Sequence, residues 1–271
     1  MEVKDYLVSG ETFELYHDPE WDILVTRPQP ADLSAYYESK NYKPHQHHAK
    51  SLFDTAYNYI RKRSYRYKMK LIKKFHPSAQ KVLDYGTATG EFLYFLSQET
   101  FSVSGVEPNK KAREQANLLL GDKVRVSIDE IDDKFDVITL WHVLEHLPHP
   151  EKTIGQLKEK LAEDGILIIA VPNFKSYDAL HYGEHWAAYD VPRHLWHFSP
   201  LGIKRFFEKF EMEVLAQRPL FFDSFYVSLL SEQYKTGKKR ILPAVFRGLL
   251  SNFKARQNGN YSSLIYILKP V

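Results

Sequence analysis

Lys81-Val-Leu-Asp-Tyr-Gly-Thr-Ala-Thr-Gly-Glu-Phe92 is the stretch that decides how this chain is read. Two apolar residues lead into Asp84, Gly86 and Gly90 follow, and Glu91-Phe-Leu-Tyr-Phe-Leu96 can continue as a helix. The pattern is a buried strand, a tight turn and a helix start. Glycine belongs where a backbone bends sharply or lets a ligand approach closely. A helix N-terminus offers free N–H groups and a partial positive charge. The stretch therefore predicts a small-molecule site at a strand–helix bend.

Outward from this turn, strand and helix patterns alternate. Strands are expected at Val82–Asp84, Val103–Glu107, Val124–Val126, Phe135–Leu140 and Ile166–Val171, with helices at Lys110–Leu120 and Pro150–Glu163, the latter capped by Gly165. Such alternation predicts an α/β fold, a mostly parallel sheet with helices on both faces. Ligands then sit outside the carboxyl ends of the strands, where Asp84–Gly90 lies. A helix over Pro200–Phe210 and strands near Glu213–Pro219 and Ser262–Leu268 complete the domain.

Residues 1–50 read as an N-terminal extension and 51–271 as the main domain. In the extension, Glu11–Tyr16 and Trp21–Thr26 flank His17-Asp-Pro-Glu20 as a β-hairpin, and Asp32–Tyr37 as a short helix. Residues 51–76 form one long helix. Its apolar stripe holds Phe53, Tyr57, Ile60, Tyr67, Leu71 and Phe75, opposite a solvated basic face of Lys62, Arg66, Lys70 and Lys73. An insertion at 221–260 carries two apolar sets at helical spacing. Phe222, Phe225, Tyr226, Leu229 and Leu230 form one; Leu242, Val245, Phe246, Leu249, Leu250 and Phe253 form the other.

Composition narrows the classes. The 271 residues, 44% hydrophobic and 26% charged, suit one globular domain with an appendage. With no cysteine, disulfides, thiolate metal sites and a cysteine nucleophile are excluded. Met1–Tyr6 lack the basic and apolar regions of a signal peptide, and no apolar run approaches a membrane span. A cytoplasmic location is the expectation. A net charge of +3 and the lack of an RNA-binding motif give no reason to expect nucleic acid.

The turn does not match the Gly-x-Gly-x-x-Gly of dinucleotide folds or the Gly-Lys-Ser/Thr of phosphate loops. Glu91 at the helix start would repel a phosphate but suits a ligand carrying positive charge. Val82–Phe92 resembles the first motif of class I S-adenosylmethionine-dependent methyltransferases, and Val106-Glu-Pro-Asn109 their second. Phe135–Leu147 and Leu161–Asn173 resemble their fourth and fifth strands. The likeness covers roughly residues 70–220 and points to small-molecule members, such as the quinone O-methyltransferases and sugar C-methyltransferases. It implies a Rossmann-like seven-stranded sheet with the last strand antiparallel, preceded by the helical insertion.

The resemblance implies S-adenosylmethionine as cofactor and assigns its residues. Asp84 would accept from the ammonium group, with Gly86, Thr87 and Gly90 leaving room for the methionine portion. Glu107 would take the ribose hydroxyls beside Pro108. Asp129 would reach the adenine amino group, and Trp141 and His142 would line the pocket. One departure stands out: Ala88 occupies the place of a usual third glycine, and would be strained if the backbone there needs a positive φ.

His142-Val-Leu-Glu-His146 matches an inverted zinc-protease pattern, but follows a buried strand with no third ligand indicated. Quinone O-methyltransferases carry a similar Glu-x-x-Glu-His stretch that can bind a divalent ion. His142 replaces its first glutamate, which weakens the fit to Mg²⁺, and no metal is expected. Glu145 and His146 are placed at the reaction centre on this resemblance. Arg193 and His194, in the polar loop Trp186–Ser199, join them as catalytic candidates, Arg193 holding an anionic acceptor. The alternative is that Asp190, Arg193 and the histidines bond one another to hold the loop. The N-terminal hairpin thinly resembles a remnant that binds zinc through cysteines in sugar methyltransferases, which this chain cannot do.

Two functions follow. One is methyl transfer to an O, C or N nucleophile of a small-molecule, glycan-linked or lipid-linked acceptor. The other is a non-catalytic S-adenosylmethionine-binding or interaction module. The insertion at 221–260 would cover the acceptor pocket or form a homodimer contact, with peripheral membrane contact a third reading because Lys238, Lys239 and Arg240 adjoin its apolar helices.

Overall fold

The computed structural model describes residues 1–37 and 52–271, with side chains of the second segment described from residue 59. The chain opens with β1 (Glu2–Lys4), β2 (Thr12–Asp18) and β3 (Ile23–Arg27), then α1 (Ser34–Tyr37) and the long α2 (Leu52–Phe75). The alternation follows as β4 (Lys81–Tyr85), α3 (Glu91–Ser97), β5 (Ser102–Val106), α4 (Lys110–Leu120), β6 (Val124–Arg125), β7 (Phe135–Trp141), α5 (Pro150–Glu159) and β8 (Leu161–Pro172). Beyond it come α6 (Tyr177–Tyr182), β9 (Trp196–Phe198), α7 (Pro200–Glu208), β10 (Met212–Pro219), α8 (Asp223–Thr236), α9 (Ile241–Asn258) and β11 (Ser263–Pro270).

The main sheet has seven strands in the order β10-β11-β8-β7-β4-β5-β6. β11 runs antiparallel to both neighbours, and the other pairings are parallel. Alternate residues feed opposite faces. Leu83, Ile138 and Leu167 pack with Ile154 and Leu157 of α5 and Ile203 and Phe207 of α7. Val82, Val137 and Ile168 pack with Ile72 of α2, Leu93 and Leu96 of α3 and Ala116 of α4. Period-two alternation in strands buried on both sides is what fixes this register.

Two sequence expectations are revised. Gly165 does not cap a helix: α5 stops at Glu159 and β8 begins at Leu161. The β7–β8 register shifts between Phe135 and Val137, and a Cβ on Gly165 would lie 2.9 Å from the Phe135 carbonyl oxygen. Gly165 is thus required by a close backbone approach. On α2, Ile60 is exposed while Leu71 and Ile72 are buried; Phe53 and Tyr57 fall outside the described side chains. The hairpin also pairs beyond itself. β1, β2, β3 and β9 form a second sheet, which ties the N-terminus to the segment after β8.

Arg193 pins that second sheet to the body. Its side chain is 1% exposed, and its NH2 group donates to Asp5 Oδ1 at 3.0 Å and to Asp190 Oδ1 at 2.6 Å. Asp5 also accepts from the backbone N–H groups of Leu7, Val8 and Ser9. Removing one partner of a buried ion pair strands the other charge. Asp190 still pairs with Arg193 when Asp5 is removed, so Asp5→Ala is expected to lower the unfolding free energy by about 1.5–3 kcal/mol, measured by urea denaturation.

Candidate functional site

The site lies at the carboxyl edge of the main sheet, where β4, β5 and β7 end side by side. Asp84 sits on β4 opposite Thr139 of β7, whose hydroxyl donates to Asp84 Oδ1 at 2.5 Å. The carboxylate is only 4% exposed. Burial pushes its pKa up to about 6, opposed by the Thr139 hydroxyl and by the Lys68 ammonium of α2. A carboxylate in this position gains most from a cation beside it.

The turn after Asp84 has the shape the sequence implied. Gly86 and Gly90 have φ of 77° and 78°. A Cβ at Gly86 would lie 2.5 Å from Val143 Cγ2, and one at Gly90 2.8 Å from the Ala116 Cβ. Ala88 has φ of 50°, so the strain foreseen for it is present. Its N–H donates to Glu107 Oε2 at 2.9 Å, while Glu107 Oε1 accepts from Asn109 N–H at 2.8 Å. Each carboxylate oxygen keeps a further lone pair for a ligand hydroxyl. Burial raises the Glu107 pKa. Pro108 beside it is exposed.

Glu91 has a role that the sequence did not show. Its Oε2 accepts from Arg61 Nη1 and from the Tyr65 hydroxyl, so it clamps α2 across the turn. This places Lys68 Nζ 4.0 Å from the centroid of the Trp141 ring. Burial pulls the Lys68 pKa down to about 8, while Asp84 and Asp223 act the other way. Lys68 shares the inward face of α2 with Leu71 and Ile72, so its sequence signal was a cation on an apolar stripe. Trp141 Nε1 is buried without a hydrogen-bond partner, and the Thr87 hydroxyl is buried beside Asp84. Buried polar atoms of this kind suit a ligand that completes them.

His142 takes a left-handed conformation at the end of β7, with φ of 55°. Its Nε2 lies 3.0 Å from Asp223 Oδ2 at the start of α8, and its Nδ1 lies 3.3 Å from Glu145 Oε1. Burial lowers its pKa, but the two carboxylates outweigh this and hold it up at about 10. The helical His-x-x-Glu-His geometry is absent: residues 144–146 form a single 3-10 turn, and His142 faces a different partner from His146. Asp223 lies in the insertion, and no motif flagged it.

A second cluster adjoins the first. Glu145 is buried, and its Oε2 has no hydrogen-bond partner. His146 Nδ1 lies 2.9 Å from the Arg193 carbonyl, and His194 Nδ1 lies 2.8 Å from the Ala188 carbonyl. A carbonyl only accepts, which favours the proton on Nδ1 and a lone pair on Nε2 in both rings, and at His146 the Tyr37 hydroxyl also lies 3.0 Å from Nδ1. One ligand atom from each of Glu145, His146 and His194 lies within 4.8 Å of the others. The third group missing from the linear pattern is thus supplied by the loop. Burial, with the neighbouring His146 and His197, drives the His194 pKa well down, so it is neutral at pH 7. Two imidazoles with one carboxylate suit Zn²⁺ better than Mg²⁺.

Not every sequence candidate faces this centre. The Arg193 guanidinium is bound to Asp5 and Asp190, which matches the alternative reading of a hydrogen-bonded loop; its carbonyl, not its side chain, touches the cluster. His197 bonds the Thr26 hydroxyl at 3.0 Å, and burial lowers its pKa to about 3. The Asp129 carboxylate is exposed and already accepts from Ser127 and Gln156.

A family model described as a methyltransferase domain matches residues 57–217. Among curated proteins the chain is similar to the ubiquinone biosynthesis O-methyltransferase of Glaesserella parasuis, at 38% identity over 63 residues, 22% of this chain and 27% of that protein. It is also similar to the protein so described from Actinobacillus pleuropneumoniae, at 30% identity over 130 residues, 42% of this chain and 56% of that protein. The match thus spans about half, or less, of these relatives' lengths. In fold it is similar to magnesium protoporphyrin IX methyltransferase from Synechocystis with bound SAH. The TM-score is 0.53 at 11% identity, covering 83% of this chain and 90% of that chain.

Two outcomes are expected from this geometry. A cationic ligand seated on Asp84 needs the ionised carboxylate, so its affinity should be level above pH 7 and fall about tenfold per unit below pH 6; isothermal titration calorimetry across pH 5–8 checks this. Ala88→Gly should relieve the left-handed backbone and raise stability by about 1 kcal/mol, read from urea midpoints.

Proposed function

The chain belongs to the methyltransferase-domain family, and on that premise we propose that it transfers the methyl group of S-adenosylmethionine to a nucleophilic oxygen of a small-molecule acceptor. The observation that carries this is the adjacency of two opposite chemistries along one strand end. Thr139 of β7 bonds the cation-seeking Asp84, and the same strand leads into His142–His146, where lone pairs converge.

Bound S-adenosylmethionine supplies an electrophilic methyl carbon on a sulfonium. Asp84 would accept from its ammonium group and Glu107 from the ribose hydroxyls, beside the Trp141 ring that already carries the Lys68 ammonium. The buried Thr87 hydroxyl and Trp141 N–H fit a polar ligand at this edge. His146 Nε2 would take the proton of the acceptor hydroxyl whose oxygen receives the methyl group. The Arg193 carbonyl favours the tautomer that makes this possible. His194 and Glu145 hold the acceptor on the other side. Alignment and exclusion of water would provide most of the rate gain, with modest base assistance. Transfer to oxygen, rather than carbon or nitrogen, is favoured by the O-methyltransferases that the chain resembles.

A second reading of the same cluster is a divalent ion held by Glu145, His146 and His194, favoured by their convergence within 4.8 Å. Calorimetry with S-adenosylmethionine, followed by methyl transfer to a panel of phenolic and catecholic acceptors, tests both. We expect binding and transfer. His146→Asn should leave cofactor affinity unchanged and slow turnover by about 10²–10⁴. Full activity after exhaustive chelation supports the base reading; loss restored by Zn²⁺ supports the ion. Binding without transfer to any acceptor would leave a binding module, and no binding would end the proposal.

A further inference from the structure

Helices α8 and α9 are packed inside out. The residues that α9 buries are small, Ala244, Gly248, Ser251 and Ala255, while Leu242 is 83% exposed and Phe246 and Phe253 are 60% exposed. α8 shows the pattern in part: it buries Ser224, Ser228 and Ser231 together with Val227 and Glu232, while Tyr226, and Phe222 just ahead of the helix, face outward. A Cβ at Gly248 would lie 2.8 Å from the Phe225 ring and 3.1 Å from its Cα, so the two backbones approach closely. Small residues between helices with large apolar ones outside is the arrangement used where the surroundings are themselves apolar. The burial expected for these faces is therefore not provided by the described residues of this chain.

Charge selects what covers them. Lys235 at the end of α8 and Lys238, Lys239 and Arg240 after it are exposed, and α9 adds exposed Lys254 and Arg256, with Arg247 half-buried against the Tyr177 hydroxyl. The acids of residues 221–260 are Asp223 and Glu232. Asp223 is paired with His142, and Glu232 is buried beside Arg240. A two-fold contact through this face would bring cations against cations in either helix direction. An anionic lipid surface complements both the charge and the apolar side chains. Among the described residues no helix is long and apolar enough to cross a membrane, so the hairpin would lie in the plane of the interface.

We propose that the α8–α9 hairpin seats this protein on an anionic lipid surface. The surface adjoins the candidate site, since Asp223 in the first turn of α8 holds His142. The proposal does not depend on methyl transfer, and its test needs no turnover. The full chain is sedimented with vesicles of phosphatidylcholine alone or mixed with phosphatidylglycerol. Binding should be confined to the anionic vesicles and weaken with salt. Each lysine near such a surface is worth about fivefold in partitioning, so Lys238→Glu with Lys239→Glu should lower it by at least about 25-fold. Phe246→Ser with Leu249→Ser and Phe253→Ser should abolish it while leaving circular dichroism and Tm unchanged, because these side chains are exposed. A wild type that stays in the supernatant, or that binds neutral vesicles equally well, overturns the proposal. So does a wild-type dimer in sedimentation equilibrium that the apolar triple variant dissociates, which would make this face a contact between copies.

Discussion

A buried carboxylate at the end of the central strand sets the terms for everything around it. Asp84 is held between β5 and β7 with little access to water, and one hydroxyl bond cannot replace the hydration it has lost. The surroundings respond with positive charge. α2 delivers the Lys68 ammonium, clamped in place by Arg61 and Tyr65 on Glu91, and the Trp141 ring gives that ammonium an aromatic face. The same physics favours a ligand that brings a positive charge of its own. It also explains why α3 can begin with an acid after a glycine turn: Glu91 grips a helix, so its charge is compensated by the protein.

The second sheet makes the other half of the site. β9 closes against β3, and the backbone from Arg193 to Leu195 is stitched on both sides. Thr26 donates its hydroxyl to the His194 carbonyl, and Leu195 N–H donates to the Glu145 carbonyl. The N-terminal extension therefore determines where His194 sits relative to His146. Arg193 contributes through its charge network and its carbonyl, and its guanidinium is committed to Asp5 and Asp190. A loop rich in ionisable side chains can be rich for structural reasons and still place a functional one.

The fold was legible because its signals are local and periodic. The strand runs, the glycine turn and the small-molecule edge of an alternating sheet follow from alternation of apolar residues and from turn chemistry. What was not legible depends on contacts between distant segments. Asp223 meets His142 across some eighty positions, and nothing near Asp223 in sequence marks it as special. His194 joins Glu145 and His146 through the Leu195 N–H on the Glu145 carbonyl and the Arg193 carbonyl on His146, contacts between segments some fifty positions apart. Lys68 is an intermediate case: a lysine on an apolar helical face is visible in sequence, though the ring it stands over is not. The apolar periodicity of 221–260 identified two helices correctly but said nothing about which side of each would face inward. The small residues decided that, because they permit the closer approach.

Ala88 and His142 show how the same strand edge tolerates strain at two points. Both are non-glycine residues with positive φ, a conformation that costs about 1–2 kcal/mol. At Ala88 the compensating interaction is specific: the left-handed backbone aims its N–H at Glu107, and the acid at the end of β5 is thereby fixed to the turn after β4. A glycine would take this conformation with less strain but would also sample others. At His142 the compensation comes from Asp223 and Glu145, which hold the imidazole between them. In each case the strained residue carries a donor to a buried or half-buried carboxylate. Strain and electrostatics are thus coupled at the carboxyl edge: relaxing either backbone would remove a donor from a carboxylate, one of two on Glu107 and the imidazole shared by Asp223 and Glu145.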